Sequence, residues 1–463
     1  MDEALATQDA TTLAAAITRK EVSSRELLDL YVDRIDRLNP TLNAVVTLDV
    51  DRARAAAAAA DAMTSRGESA GPLHGLPITI KDAIEVEGVR STGGAIELTD
   101  HVPSEDAAAV AQLKAAGAIA FGKTNIPRWS GDLQSYNDIF GTTNNPWDAS
   151  RVPGGSSGGP AAAVSAGLTS FELGTDIGGS VRIPSHCCGV FGLKPSYGVV
   201  PQRGYLDHVG GGSTDADINV FGPIARSAAD LELLMSVLAS PEPERAIAWT
   251  IELPAPRHAD LASHRIGVWF EEPGVPIDRD QLNLLVRAAD ALADAGAKVE
   301  DAHPPVDFQE QGGLFAQMIT AAISPSLEDD AADSASGSHR QWLRGEEQRA
   351  QVRQVWAEWF ESYDALLCPV MPMPAITHQQ EGDFMSRTIE INGESFPYVT
   401  LIAWTGFIGI TCLPSAVPPI GRTPSGLPVG VQVVTPYLRD RDAIALAGRL
   451  ADLVGGYDVP PGF

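Results

Sequence analysis

Apolar residues recur at helical spacing early in the chain. Leu27, Leu28, Tyr31, Val32, Ile35 and Leu38 follow Ser23-Ser24-Arg25-Glu26, a capping box, until Asn39-Pro40 breaks the pattern. The run Ala55 to Ala60 predicts a second helix with a small-residue packing face. Gly75-Leu76-Pro77-Ile78-Thr79-Ile80-Lys81-Asp82 then carries a short β-branched run that predicts a buried strand. A helix is predicted from Ala107 to Ala116 and a strand from Ala118 to Phe121. The same alternation resumes at Ile266 to Phe270, Leu282 to Leu292 and Ala365 to Leu367. It ends with a strand at Val429 to Val434 and a helix at Ala443 to Leu453. This order predicts an α/β layered architecture around a central sheet. The span from about Asp307 to Phe396 is the most irregular. It carries a hairpin signal, Thr388-Ile389-Glu390-Ile391 followed by Asn392-Gly393. We read residues 1–463 as one large domain, with a variable, lid-like excursion at about 307–396.

Composition narrows the function classes. Hydrophobic residues are 44% of the chain, enough for a large core. Basic residues number 33 against 60 acidic ones, a net charge of −27. Such a chain repels phosphate backbones and anionic bilayers, so neither nucleic acid nor membrane is an expected partner. Four cysteines make no disulfide framework, and the adjacent Cys187 and Cys188 lack metal-clip spacing. No signal-like start or membrane-length apolar run is present, which fits a reduced, cytoplasmic setting.

Two glycine-rich stretches carry the candidate chemistry. They are Pro153-Gly154-Gly155-Ser156-Ser157-Gly158-Gly159 and Gly174-Thr175-Asp176-Ile177-Gly178-Gly179-Ser180-Val181-Arg182-Ile183-Pro184. Glycines beside a serine let backbone N–H groups converge, and a hydroxyl next to such donors suits acyl transfer. Neither stretch ends in the Gly-Lys-Ser/Thr of a phosphate loop, and no GxSxG elbow supports a Ser-His-Asp triad. His74 and His186, near the motifs, read as structural.

The ordered set of Lys81, the first stretch and the second resembles the amidase signature family. The resemblance extends through Asp106–Asn125, Phe140–Asp148, Cys188–Gly198, Phe221–Leu231 and Gly426–Val434. It implies a central mixed, twisted β-sheet covered by helices on both faces. It also implies a Ser-cisSer-Lys triad: Ser180 as nucleophile, Ser156 as the bridging serine after a cis peptide, and Lys81 as a neutral base. The N–H groups of Ile177, Gly178, Gly179 and Ser180 would form the oxyanion hole. Asp176 and Arg182 would order the loop, and Ser157 would sit within the network. No metal and no organic cofactor is implied.

The expected activity is amidohydrolysis at C–N bonds other than peptide bonds, on a small-molecule amide. Bacterial amidases, aryl acylamidases and urethanases are the kin it resembles, so anilides, carbamates and esters are candidate substrates. The protein is expected to act as a monomer or homodimer. The alternative is the glutaminase (A) subunit of a tRNA-dependent amidotransferase, although the stretch after Arg349 lacks the tyrosine-rich pattern associated with that subunit. The chain departs from the family pattern at Arg128 and at Ala403-Trp404-Thr405-Gly406-Phe407-Ile408. From the second departure we expect Trp404, Phe407 and Ile408 to line a hydrophobic substrate pocket.

Overall fold

The computed structural model describes residues 3–327 and 329–463. Its first long helix, Ser24–Leu42, starts as the capping box predicts: the Ser23 hydroxyl accepts from the Glu26 N–H, and Glu26 reaches back to the Ser23 N–H. The helix does not stop at Asn39-Pro40. Proline removes one donor and one intrahelical bond, a loss tolerated in a final turn. The chain leaves instead at Asn43, which is left-handed at φ 50°. The Asn39 side chain then accepts from the N–H groups of Ala44 and Val45 and so starts the first strand.

That strand belongs to a three-stranded sheet ordered Val45–Leu48, Ile119–Thr124, Pro77–Lys81. The first pair is antiparallel and the second parallel, with Lys81 opposite Thr124. The main sheet has nine strands. Eight run in the order Lys298–Asp301, Arg265–Val268, Ala365–Pro369, Pro428–Val434, Ser415–Val417, Phe191–Lys194, Val220–Ala225, Glu172–Asp176, while Pro419–Arg422 pairs with Pro428–Val434. Parallel and antiparallel pairs mix, as in Lys298–Asp301 with Arg265–Val268 and Phe191–Lys194 with Ser415–Val417. This is the predicted α/β class with a mixed central sheet flanked by helices. The two sheets meet at one edge, where Thr79 N–H donates to the Thr169 hydroxyl and Ser170 N–H to the Pro77 carbonyl. The strand ending in Lys81 therefore lies beside the strand ending in Asp176.

The irregular span divides around Ala365–Pro369, which is an interior strand of the main sheet, parallel to Arg265–Val268 and antiparallel to Pro428–Val434. Before it come the helices Phe308–Ala322 and His339–Trp359; after it comes the hairpin Thr388–Ile391 and Glu394–Pro397. Asn392 and Gly393 both have positive φ, 54° and 84°, the mirror-image turn that matches strand twist. Arg387 fastens this hairpin: its guanidinium donates to Asp132 at 2.6 Å, and the Tyr398 hydroxyl donates to the same carboxylate at 2.8 Å. Among the described residues, no helix is long and apolar enough to cross a membrane.

Candidate active site

Lys81 is the last residue of its strand, and its side chain is fully buried. Its Nζ donates to Ser156 Oγ at 2.6 Å and to Thr175 Oγ1 at 2.7 Å. Among the described residues no carboxylate forms an ion pair with it. Burial therefore dominates and drives the ammonium well below its usual range, against the pull of the Asp176 and Glu172 charges.

Ser156 follows a cis peptide bond after Gly155. Gly155 is required by a close approach: a Cβ there would lie 2.5 Å from the Gln134 nitrogen. Ser157 ties the two glycine-rich loops together, since its N–H donates to the Ser180 carbonyl at 3.1 Å and its hydroxyl to the Thr175 carbonyl at 3.3 Å. Ser180 sits between the strand Glu172–Asp176 and the helix Arg182–Cys188, 5% exposed. The Lys81–Ser156 contact is closed, whereas among the described residues no hydrogen bond joins the Ser156 and Ser180 hydroxyls.

Asp176 and Arg182, expected to order the loop that carries Ser180, form an ion pair within it. The guanidinium grips the carboxylate with two contacts, at 2.9 and 2.8 Å, both groups being fully buried. Burial alone would raise this carboxyl; the Arg182 charge and hydrogen bonds outweigh it and hold it below the usual range. The same carboxylate accepts from the N–H groups of Gly179 and Val181. This revises the expected donor set. The Gly179 N–H is already engaged, and among the described residues only Ile177, Gly178 and Ser180 of the four keep N–H groups without a protein acceptor. Gly179 is needed for its shape instead: φ is 124°, and a Cβ would lie 2.5 Å from Thr405 Oγ1.

The expected apolar pocket is not where the sequence placed it. Trp404, Phe407 and Ile408 are buried at 1%, 0% and 0% exposure in a cluster with Trp269, Phe308 and Trp356. Their helix, Ala403–Gly409, packs this face inward because its neighbours are rings: Trp404 lies 5.1 Å from Phe308 and 5.7 Å from Trp269. The helix reaches the nucleophile loop through Thr405, whose hydroxyl donates to the Gly178 carbonyl at 2.7 Å. The apolar atoms nearest Gly178 come from Phe308–Ala322: Phe315 and Ile319 each lie 3.4 Å from where a Cβ would stand. A cavity of about 50 Å³ opens beside Ile177, walled by Trp129, Ser130, Tyr205, Asp207 and Ile323. Arg128, the other departure, is exposed and paired with Glu97.

Sequence reasoning missed Thr175, Thr405, Phe315 and Ile319. Thr175 lay inside a quoted motif, one residue before Asp176, and could have been found there. It also passed over Gln432, whose amide oxygen accepts from Arg182 at 2.7 Å. His186 is structural: both ring nitrogens face backbone of Gly430 and Met373, and burial pushes it down to about 4. His74 bonds Thr64 and the Ala70 N–H. All four cysteines are free and buried. Among the described residues no group of three or more His, Cys, Asp or Glu side chains has a metal-holding arrangement.

Comparison with known proteins places this geometry. The amidase family model matches residues 26–336 and 314–443. The A subunit of glutamyl-tRNA(Gln) amidotransferase from Acidothermus cellulolyticus is 30% identical, over 92% of this chain and 90% of that protein. A bacterial aryl acylamidase of the amidase signature enzymes superposes with a TM-score of 0.84 at 27% identity, covering 98% of this chain and 99% of its own. 6-Aminohexanoate cyclic dimer hydrolase gives a TM-score of 0.83 at 26% identity, with 99% of each chain covered.

Proposed function

The chain belongs to the amidase family, whose enzymes act on C–N bonds, and we propose that it hydrolyses small amides by a Ser180 acyl-enzyme. The observation that carries this reading is the state of Lys81. Its amine is buried, touches two hydroxyls and no carboxylate, and is driven toward neutrality. Among the described residues Lys123 and Lys194 are buried without an ion pair too, but each donates to a backbone carbonyl, whereas Lys81 donates to two hydroxyls, one of them a serine able to hand it a proton.

In this scheme Lys81 Nζ takes the Ser156 proton as Ser156 Oγ takes that of Ser180. Ser180 Oγ bonds to the carbonyl carbon, and the oxyanion forms against the N–H groups of Ile177, Gly178 and Ser180. Ser156 then protonates the leaving nitrogen, the C–N bond breaks, and Lys81 restores the Ser156 proton. Water repeats the relay to free the acid. The relay requires the Ser156 and Ser180 hydroxyls to come into hydrogen-bond contact before proton transfer. The scheme needs no metal or organic cofactor. Rate rises with pH as Lys81 loses its proton, toward a neutral-to-alkaline optimum.

The apolar wall of the site is assigned to Trp129, Ile323, Phe315 and Ile319, with the helices from Phe308 to Trp359 as the partial lid. This favours amides, anilides or carbamates carrying an apolar group, turned over by a cytoplasmic monomer or homodimer. The relative named as an amidotransferase subunit keeps a second reading alive, glutamine hydrolysis with a partner chain. A screen of purified protein alone against glutamine, short aliphatic amides, anilides and aryl carbamates separates them. Turnover of apolar amides or anilides is expected; activity on glutamine only, or only with a partner present, overturns the proposal. A chelator should leave the rate unchanged.

A further inference from the structure

Glu172 is a carboxylate buried where the two sheets meet. Its Oε1 accepts from Thr79 Oγ1 at 2.6 Å and from Thr124 Oγ1 at 2.9 Å, and Oε2 accepts from the Leu173 N–H at 3.2 Å. Both threonines are strand neighbours of Lys81. Thr79 precedes it by two residues and shares its face, and Thr124 is its register partner. Among the described residues no cation lies within ion-pair distance of Glu172.

The charged groups around it sort cleanly. Its own strand brings Asp176, already gripped by Arg182. The strand Pro77–Lys81 brings Lys81, with Asp82 just beyond it, and the strand Ile119–Thr124 brings Lys123. The Lys123 amine donates to the Ile84 carbonyl and the Ser91 hydroxyl; it feels the charge of Asp82 more strongly than that of Glu172, and its own charge draws Glu172 downward without an ion pair. The strand Val220–Ala225 and the helix Gly158–Ser165 contribute no titratable group. Tyr31 bonds the Ser170 hydroxyl, and Arg226 donates to the backbone carbonyls of Gln8, Val164, Thr169 and Ser170. Glu172 is therefore the carboxylate near Lys81 whose charge no arginine cancels.

We propose that Glu172 is a positioning residue for the base: held by the hydroxyls of Thr79 and Thr124, its carboxyl stabilises the Lys81 ammonium that forms when Ser156 gives up its proton. The proposal rests on the reading of Lys81 as the base. A buried amine with no anion nearby would be a poor proton acceptor, because its cation would be stranded in a dry core. A carboxylate held back by hydroxyls strengthens the base without forming the ion pair that would lock the proton on it. Burial pushes Glu172 up to about 7, and its charge, after that of Asp176, draws the Lys81 ammonium upward.

The test is kcat/KM against pH with p-nitroacetanilide for wild type, Glu172→Gln and Thr124→Val. Glu172→Gln keeps the shape and removes the charge, so Lys81 loses its proton more readily. The acidic limb should move by about 1 pH unit toward acid, with a lower plateau. Thr124→Val, which weakens the hold on the ionised carboxyl, should move it the same way by less. A lower plateau with an unmoved limb in Glu172→Gln marks a merely structural residue and overturns the proposal. Should that variant not fold, an unmoved limb in Thr124→Val overturns it equally. Lys81→Ala separates the two levels: near-wild-type turnover there removes the base reading itself, whatever Glu172 does.

Discussion

The layer around Lys81 and the layer around Trp404 are both fully buried, and both touch the loop from Asp176 to Arg182. One reaches it through hydroxyls and a backbone amide: Lys81 to Thr175 and Ser156, and the Ser157 N–H to the Ser180 carbonyl. The other is a stack of rings, with Phe308 on Phe407 at 4.3 Å and Trp269 edge-on to Trp404, hydrogen-bonded to the loop through Thr405. The polar layer holds groups away from their preferred ionisation state, a cost borne by the fold. The aromatic layer supplies packing and contributes no group that can exchange a proton. Burial alone therefore does not distinguish a catalytic residue from a core residue. What the buried atom touches does.

The largest expected separation comes from opposite substitutions. Lys81→Ala should lower kcat/KM by about 10³-fold or more with the fold intact, since it deletes the proposed base. Trp404→Ala should do the reverse. Among the described residues its indole N–H has no partner, so the loss is of packing alone, about 3–5 kcal/mol in denaturant unfolding. Its kcat/KM should then change equally for an aryl and a short amide. A selective loss on the aryl substrate would return Trp404 to the pocket.

Stability against pH sharpens the same contrast. Between its folded and unfolded pKa values, an amine driven below its usual range is neutral when folded and protonated when unfolded. The unfolded state then binds more protons, so stability rises with pH until the unfolded lysine itself deprotonates near 10.5. Lys81→Met should thus raise Tm at neutral pH, and the gain should shrink toward pH 10.5. A pH-independent Tm difference would show that Lys81 is not held neutral.

These two layers were unequally legible in the sequence. Asp176, Ser180 and Arg182 sit in one short motif whose geometry is local, whereas Lys81 stands 75 residues before Ser156 and was joined to the serines only by the resemblance to the amidase signature family. Trp404 and its neighbours depend on Phe308, nearly a hundred residues upstream, and no periodicity reports that packing. The Gly179 amide was misassigned for a subtler reason: the carboxylate that orders the loop consumes one of its donors. The hairpin at Asn392-Gly393 was readable because the turn residues alone set its form.

A smaller effect tests the bridge between the layers. Thr405→Val keeps the shape but removes the donor to the Gly178 carbonyl. The loop with the proposed oxyanion donors loses one tether, and kcat should fall about tenfold with little change in KM. An unchanged kcat would mean that the Asp176–Arg182 clamp fixes the loop unaided.

The smallest effect concerns which layer meets the substrate. Ile319 projects from the helix Phe308–Ala322 to within 3.4 Å of the space at Gly178, and it is only partly buried. Truncating it to alanine removes three carbons from a wall that is already incomplete, so little stability should be lost. The apolar part of the substrate would lose contact area worth about 0.8 kcal/mol per methylene. Ile319→Ala should therefore lower kcat/KM for an aryl amide by about tenfold and leave acetamide nearly unchanged. The pair of single variants, Ile319→Ala and Trp404→Ala, then reads the two layers against each other. Selectivity should follow the first and stability the second. If both variants lost stability and neither altered selectivity, the helix Phe308–Ala322 would belong to the core, and the substrate would enter past Trp129 and Ile323 alone.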